Sequence, residues 1–141
     1  MAAIIIGTHG KLSEALLRSC EMICGPRENI AAVTLEPGES VEGLVEKYQA
    51  ALRNLDVKDG VLFMTDLLGG SPYNAACRIA MEVDAEADNI GIITGANLPM
   101  LLEVLNLGNI KIKEYVEVAQ TAGKQGIQVF ERLNTNEVED L

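Results

Sequence analysis

The segment Ile4-Ile5-Ile6-Gly7-Thr8-His9-Gly10 decides how this chain is read. A continuous β-branched apolar run of this kind is a strand buried on both faces, and the amphipathic pattern starting at Lys11 makes it the first strand of a parallel β-α unit. The strand runs into a turn that holds His9, the only histidine of the sequence, between Gly7 and Gly10. Glycines there permit positive φ or the close approach of another group, so the imidazole is presented outward beside a helix N-terminus, a setting that suits an anion. Open α/β sheets place their ligands at that carboxyl edge. Taken alone, a loop histidine is more often a solvated bystander, and a second segment is needed to overturn that reading.

Outward from this stretch, Leu12, Leu16, Cys20, Ile23 and Cys24 recur at helical spacing over Lys11 to Cys24, and Gly25-Pro26 stops the helix. Ile30 to Leu35 reads as a second strand, closed by the turn Glu36-Pro37-Gly38-Glu39. Ser40 caps a second helix whose inner face is Val41, Leu44, Val45, Tyr48, Leu52 and Leu55. Val61 to Thr65 is a third strand, followed by the loop Asp66-Leu67-Leu68-Gly69-Gly70-Ser71-Pro72. Ser71-Pro72 is a helix-start pair for a helix over Tyr73 to Val83. Asn89 to Thr94 is a fourth strand, and helices follow over Met100 to Leu107 and Ile112 to Gly123. Ile127 to Glu131 differs in kind, alternating apolar and polar residues as a half-buried strand does, and the acidic stretch Asn134 to Leu141 is a fraying tail. The expected fold is α/β and three-layered, a mostly parallel central sheet with helices on both faces.

Composition narrows the function. A length of 141 residues and a 48% hydrophobic fraction suit one domain with one full core. A net charge of -10 argues against nucleic acid, whose binding depends on clustered Lys and Arg. The N-terminus offers no basic leader, and Ala2 to Ile6 is too short for a signal or membrane segment, so a cytoplasmic protein is expected. Cys20, Cys24 and Cys77 are an odd set read as buried free thiols, with too few sulfur or imidazole partners for zinc. No metal or cofactor is called for.

Right-handed crossovers bring the loops after the first and third strands to one edge of the sheet, where His9 and Asp66 can meet. A carboxylate accepting from imidazole Nδ1–H fixes the tautomer, leaves Nε2 as a free lone pair and stabilises positive charge when Nε2 attacks an electrophile. The incoming group is read as a phosphoryl, because Gly69, Gly70 and Ser71 offer backbone N–H groups, a hydroxyl and a helix N-terminus. Alone, Gly69 to Pro72 is equally a helix cap; the convergence of two loops favours a site. Tyr73 stands where a nucleophile elbow wants glycine, and no Lys-Ser or Lys-Thr follows the glycines as a P-loop requires.

At these residues the chain resembles the enzyme IIA domain of the mannose family of the bacterial sugar phosphotransferase system. The motifs are Ile6-Gly7-Thr8-His9-Gly10, Pro37-Gly38-Glu39 with Glu46-Lys47-Tyr48, Gly60-Val61-Leu62-Phe63 leading to Asp66, Gly69-Gly70-Ser71-Pro72-Tyr73-Asn74-Ala75-Ala76, and Asn97-Leu98-Pro99-Met100-Leu101. The resemblance implies that His9 takes a phosphoryl group on Nε2 from the phosphocarrier HPr and passes it to a histidine of a IIB component, with Asp66 orienting His9 and Ser71 beside the phosphoryl group. It also implies a homodimer whose C-terminal strand, here Ile127 to Glu131, crosses to pair antiparallel with the partner's sheet, and membrane association only through the permease components. Residues 1–133 would form the IIA domain and 134–141 the tail; from Arg132 the chain lacks the Ala- and Pro-rich linker that joins IIA to IIB in fused members, which suits a free-standing subunit or a truncated piece of a longer chain. Leu67 and Leu68 depart from the polar and aromatic residues of the family member used for comparison, so only their backbone amides carry over to the site. Two rival readings share the site: a subunit relaying phosphate to a dihydroxyacetone kinase, and a module that regulates a partner through its phosphorylation state.

Overall fold

The computed structural model of the chain describes residues 1–82 and 89–132. The acidic tail, and Val83 at the end of the third helix, lie outside the described residues. Apolar runs and amphipathic stretches alternate as β1 (Ala3–His9), α1 (Leu12–Cys24), β2 (Ile30–Leu35), α2 (Val41–Asn54), β3 (Val61–Thr65), α3 (Ser71–Glu82), β4 (Ile90–Ile93), α4 (Leu98–Val104) and α5 (Ile112–Gln125). The strands form one parallel sheet in the order β2-β1-β3-β4.

Each side of the sheet is covered, as its uniformly apolar strands require. Along β1 the side chains alternate: Ile4 and Ile6 join α1, α4 and α5 in a cluster with Cys20, Met100, Leu101, Val104, Tyr115 and Ala119. Ala3 and Ile5 face the other way, into a cluster with Leu44 and Tyr48 of α2 and Ala75, Ala76 and Ile79 of α3. The same parity puts His9 on the α2–α3 side and Thr8 on the α1 side. Because the chain crosses from β1 to β2 in one direction and then from β2 back past β1 to β3 in the other, a crevice opens between the carboxyl ends of β1 and β3.

Several boundaries differ from the sequence reading: α3 already starts at Ser71, β4 is shorter at Ile90–Ile93, α4 ends at Val104 and α5 reaches Gln125. β1 continues through Gly7 and Thr8 to His9, so the turn starts at Gly10, whose φ is +55° and whose amide donates to the Leu35 carbonyl. Gly7 is therefore a strand residue, and its lack of a side chain serves close approach: a methyl there would overlap the Tyr48 hydroxyl. α4 begins at Leu98, because Asn97 accepts from the Met100 amide and Pro99 fits the first turn. Ile127 to Glu131, expected as a half-buried strand, makes no strand pairing among the described residues, and Ile127, Val129 and Phe130 are exposed. A strand needs an edge that supplies its ladder, and among the described residues this segment meets none.

Candidate active site

The crevice is built on three supports. α1 has no side-chain cap of its own at Lys11; the Thr8 hydroxyl accepts from the Ser13 amide at 2.7 Å, and Ser13 Oγ donates to the Val33 carbonyl at 2.9 Å. Both side chains are buried, so the start of α1 is tied to β1 and β2 immediately behind His9. On the other side, Gly95 donates to the Asp66 carbonyl and Ala96 to that of Thr65, fixing the end of β3. Beneath, the fully buried Tyr48 donates its hydroxyl to the Pro72 carbonyl at 2.9 Å, joining α2 to the first turn of α3. Burial, and then the charge of Asp66, push the Tyr48 phenol above its ordinary pKa, so it remains a donor.

His9 and Asp66 meet as the topology predicts. Asp66 Oδ2 accepts from His9 Nδ1 at 2.9 Å and from the His9 amide at 3.0 Å, so one oxygen grips both the ring and its backbone. A carboxylate oxygen accepts only, which assigns the proton to Nδ1 and leaves the lone pair on Nε2. Nε2 has no hydrogen-bond partner among the described residues, and 47% of the His9 side chain is exposed against 15% for Asp66. The carboxylate is thus sheltered, while the ring is half exposed and its Nε2 edge is left unpaired among the described residues. Asp66 Oδ1 is buried without a partner among the described residues.

The loop after β3 crosses the ring. Gly69 takes a left-handed φ of +78°, and a methyl built at Gly70 would lie 2.7 Å from His9 Cε1 and 3.5 Å from Nε2. The expectation that Gly70 offers its amide is corrected, because that N–H closes a turn by donating to the Leu67 carbonyl at 3.1 Å. The amides of Leu67, Leu68, Gly69 and Ser71 donate to no group among the described residues. Nor does the Ser71 side chain cap α3: the first turn is closed by Asn74 N–H to the Gly70 carbonyl, and Asn74 Nδ2 donates to that of Gly69. The Ser71 hydroxyl is left uncommitted at the helix start. The Leu67 and Leu68 side chains are exposed and contribute apolar surface at the rim.

Glu39, quoted above only as part of a motif, clamps the turn before α2: it accepts from Lys47 at 2.7 Å and from the Glu36 amide at 2.8 Å. Lys47, and then that amide, hold its carboxyl below the ordinary value. Thr8, Ser13 and Tyr48 support the site in ways the sequence reading did not single out; only a glycine inside a strand, Gly7, signalled that a large side chain comes close. Among the described residues no group of three or more His, Cys, Asp or Glu is placed to hold a metal ion, and no helix is long and apolar enough to cross a membrane.

Comparison with known proteins identifies the family. Residues 3–120 match the EIIA-man family, described as "PTS system fructose IIA component". The chain is 42% identical over 130 residues to the "PTS system mannose-specific EIIAB component" of Escherichia coli (strain K12), covering 91% of this chain and 39% of that protein, so it spans about two fifths of that relative's length. It is 38% identical over 130 residues to the "PTS system fructose-specific EIIA component" of Bacillus subtilis (strain 168), covering 92% and 86% of the two chains. A crystal structure of the phosphotransferase system component EIIA from Streptococcus agalactiae superposes with a TM-score of 0.82 at 28% identity, covering 92% of this chain and 97% of that one. The chain belongs to the EIIA-man family, the mannose-family IIA components of the sugar phosphotransferase system, as its motifs imply.

Proposed function

We propose that this chain is a phosphoryl-transfer component of a sugar phosphotransferase system, taking a phosphoryl group from HPr on Nε2 of His9 and passing it to a IIB component. The observation that carries the reading is the 2.9 Å bond from His9 Nδ1 to Asp66, which leaves Nε2 free at the carboxyl rim of the sheet. Nε2 attacks phosphorus, the bond to the donor breaks, and the positive charge that develops on the ring is balanced by Asp66. The phosphoryl oxygens are received by the uncommitted amides of Leu67, Leu68, Gly69 and Ser71 and by the Ser71 hydroxyl, at the N-terminus of α3. Gly70 contributes space for the ring, and Leu67 and Leu68 contribute backbone donors and an apolar rim. The reverse transfer to the next acceptor uses the same groups.

Residues 1–133 act in this reading as a cytoplasmic domain, which reaches the membrane only through the permease components. The domain pairs as a homodimer through Ile127 to Glu131. Support comes from the outer edge of β4, unpaired among the described residues, and from the exposed Ile127, Val129 and Phe130. A groove of about 380 Å³ runs beside that edge between Ile92, Thr94, Met100 and Val116, with Ile127 on its wall. An exposed apolar strand segment and an uncovered sheet edge are complementary.

Incubation with phosphoenolpyruvate, enzyme I and HPr is expected to add one acid-labile phosphate, absent from His9→Ala. Equal labelling of His9→Ala refutes the assignment. Discharge of the phospho-form to a IIB protein is the expected outcome; discharge only to the nucleotide-bearing subunit of a dihydroxyacetone kinase selects that circuit instead. Sedimentation of a chain ending at Gly126 is expected to show a monomer where the full chain is a dimer.

A further inference from the structure

The carboxyl end of α1, at the opposite edge of the sheet from His9, holds a pair of thiols that phosphoryl transfer does not use. Cys20 is buried, Cys24 is half-buried, and their sulfurs lie 3.6 Å apart. Cys24 Sγ also donates to the Cys20 carbonyl at 3.1 Å and approaches that of Gly25 at 3.8 Å. Arg27 follows directly, and its Nε is buried without a partner among the described residues. A buried N–H without an acceptor is costly, and Arg27 lowers the pKa of the Cys24 thiol beside it.

We infer that Cys20 and Cys24 form a peroxide-sensitive dithiol, with Cys24 the reactive sulfur, Cys20 the resolving one and Arg27 the group that stabilises the thiolate. The Cys24 thiolate attacks one oxygen of a hydroperoxide; the O–O bond breaks, sulfur is oxidised to the sulfenic acid, and the peroxide is reduced as its other oxygen leaves as hydroxide or alkoxide. The Cys20 thiol then attacks the Cys24 sulfur, the S–S bond forms, and the sulfenic hydroxyl departs as water with the Cys20 proton. The two sulfurs are too far apart for a bond as they stand, and in a regular helix residues four apart hold their β-carbons wider than a disulfide allows. Closing the distance requires the last turn of α1 to open at Cys24, where Gly25 leaves the helix with φ +83° and the bond from its amide to the Glu21 carbonyl is given up.

The environment divides the labour between the two. Arg27 beside Cys24 holds that thiol below its ordinary value, while burial, and then Cys24, push Cys20 up to about 12, with Glu21 adding to the rise and Arg27 opposing it. Cys24 is therefore the first to ionise and is the more accessible. Cys77, half-buried on α3 and remote in sequence, is an internal control within the same chain.

The test uses the full chain and hydrogen peroxide. Expected is a loss of two hydrogen masses, reversed by dithiothreitol and mapped to one peptide containing both Cys20 and Cys24. Cys20→Ser is expected to stop at a Cys24 sulfenic acid that dimedone traps, and Cys24→Ser to abolish the reaction. Arg27→Gln is expected to slow iodoacetamide alkylation of Cys24 at neutral pH by about threefold or more, through a smaller thiolate fraction. Peptide mapping of the wild-type chain needs no variant to fold. Oxidation that appears first at Cys77, or Cys24 alkylating no faster than Cys77, overturns the inference.

Discussion

Replacing Gly70 by alanine tests whether the loop after β3 holds the imidazole in place or merely passes by it. The added methyl would sit 2.7 Å from His9 Cε1 and 3.3 Å from the Leu67 carbonyl oxygen, where ordinary contact begins at 3.4 Å. Ring or loop must therefore give by about 0.7 Å, the difference between 2.7 Å and 3.4 Å. The ring is the softer partner, because 47% of the His9 side chain is exposed while the Leu67 carbonyl is held by the Gly70 amide. A shift of that size directed along a 2.9 Å bond carries His9 and Asp66 beyond hydrogen-bonding range. Losing a hydrogen bond to a charged acceptor costs about 1.5–3 kcal/mol, or roughly 10- to 100-fold in a rate that depends on it. Gly70 has no positive φ, so alanine is conformationally permitted, and the loss of folding stability is expected to be no more than the about 1.5–3 kcal/mol of that bond. Gly69→Ala is the converse: no atom lies within 4 Å of the new methyl, but φ is +78°. It should cost about 1–2 kcal/mol of stability and leave the ring alone. Rapid-quench phosphorylation from HPr, paired with urea unfolding, reads both quantities. A Gly70→Ala protein that is phosphorylated at the wild-type rate would refute the reasoning.

Asp66→Asn presents an amide to Nδ1 and no longer compensates charge on the ring; transfer should slow by at least about tenfold with the fold intact, measured by the same quench. Gly7→Ala drives a methyl into the Tyr48 ring, with Cζ at 2.7 Å and a buried hydroxyl bonded to Pro72 behind it. It should destabilise by about 1–3 kcal/mol in urea melts, and an unchanged midpoint would show that Tyr48 is not wedged there. Glu39 is held below the ordinary carboxylate value by Lys47 and the Glu36 amide. Its contribution is therefore complete above that value and is lost as pH falls through the lowered one. Unfolding midpoints followed into the acid range should show Glu39→Gln lacking this portion of the acid loss, and identical profiles would remove the clamp.

Much of the site is legible in the sequence because it rests on local chemistry. The β-branched run Ile4 to Ile6, the cap at Ser40 and the start of α3 beside Ser71-Pro72 each follow from the preferences of a few neighbouring residues. Strands alternating with helices then force parallel pairing with right-handed crossovers, and that alone brings the ends of β1 and β3 together. His9 and Asp66 are accessible to reasoning for this reason, although they are 57 residues apart.

What the sequence leaves open are the matters settled by contacts between distant backbones. A glycine between Ile6 and Thr8 reads equally as a turn or as a strand approached by a neighbour, and only the ring of Tyr48 decides for the strand. The amides of a Gly-Gly-Ser loop look equivalent in sequence, yet once the loop folds back on Leu67 the Gly70 amide is used internally and its missing side chain becomes the room for His9. The start of α1 has no side-chain cap at Lys11, and the cap comes from Thr8 of the preceding strand. Ile127 to Glu131 shows the same division: alternation states that one face of the segment needs cover, but a strand exists only where another backbone completes its ladder. Side-chain periodicity is a property of the chain, whereas which donor meets which acceptor is a property of the packed whole.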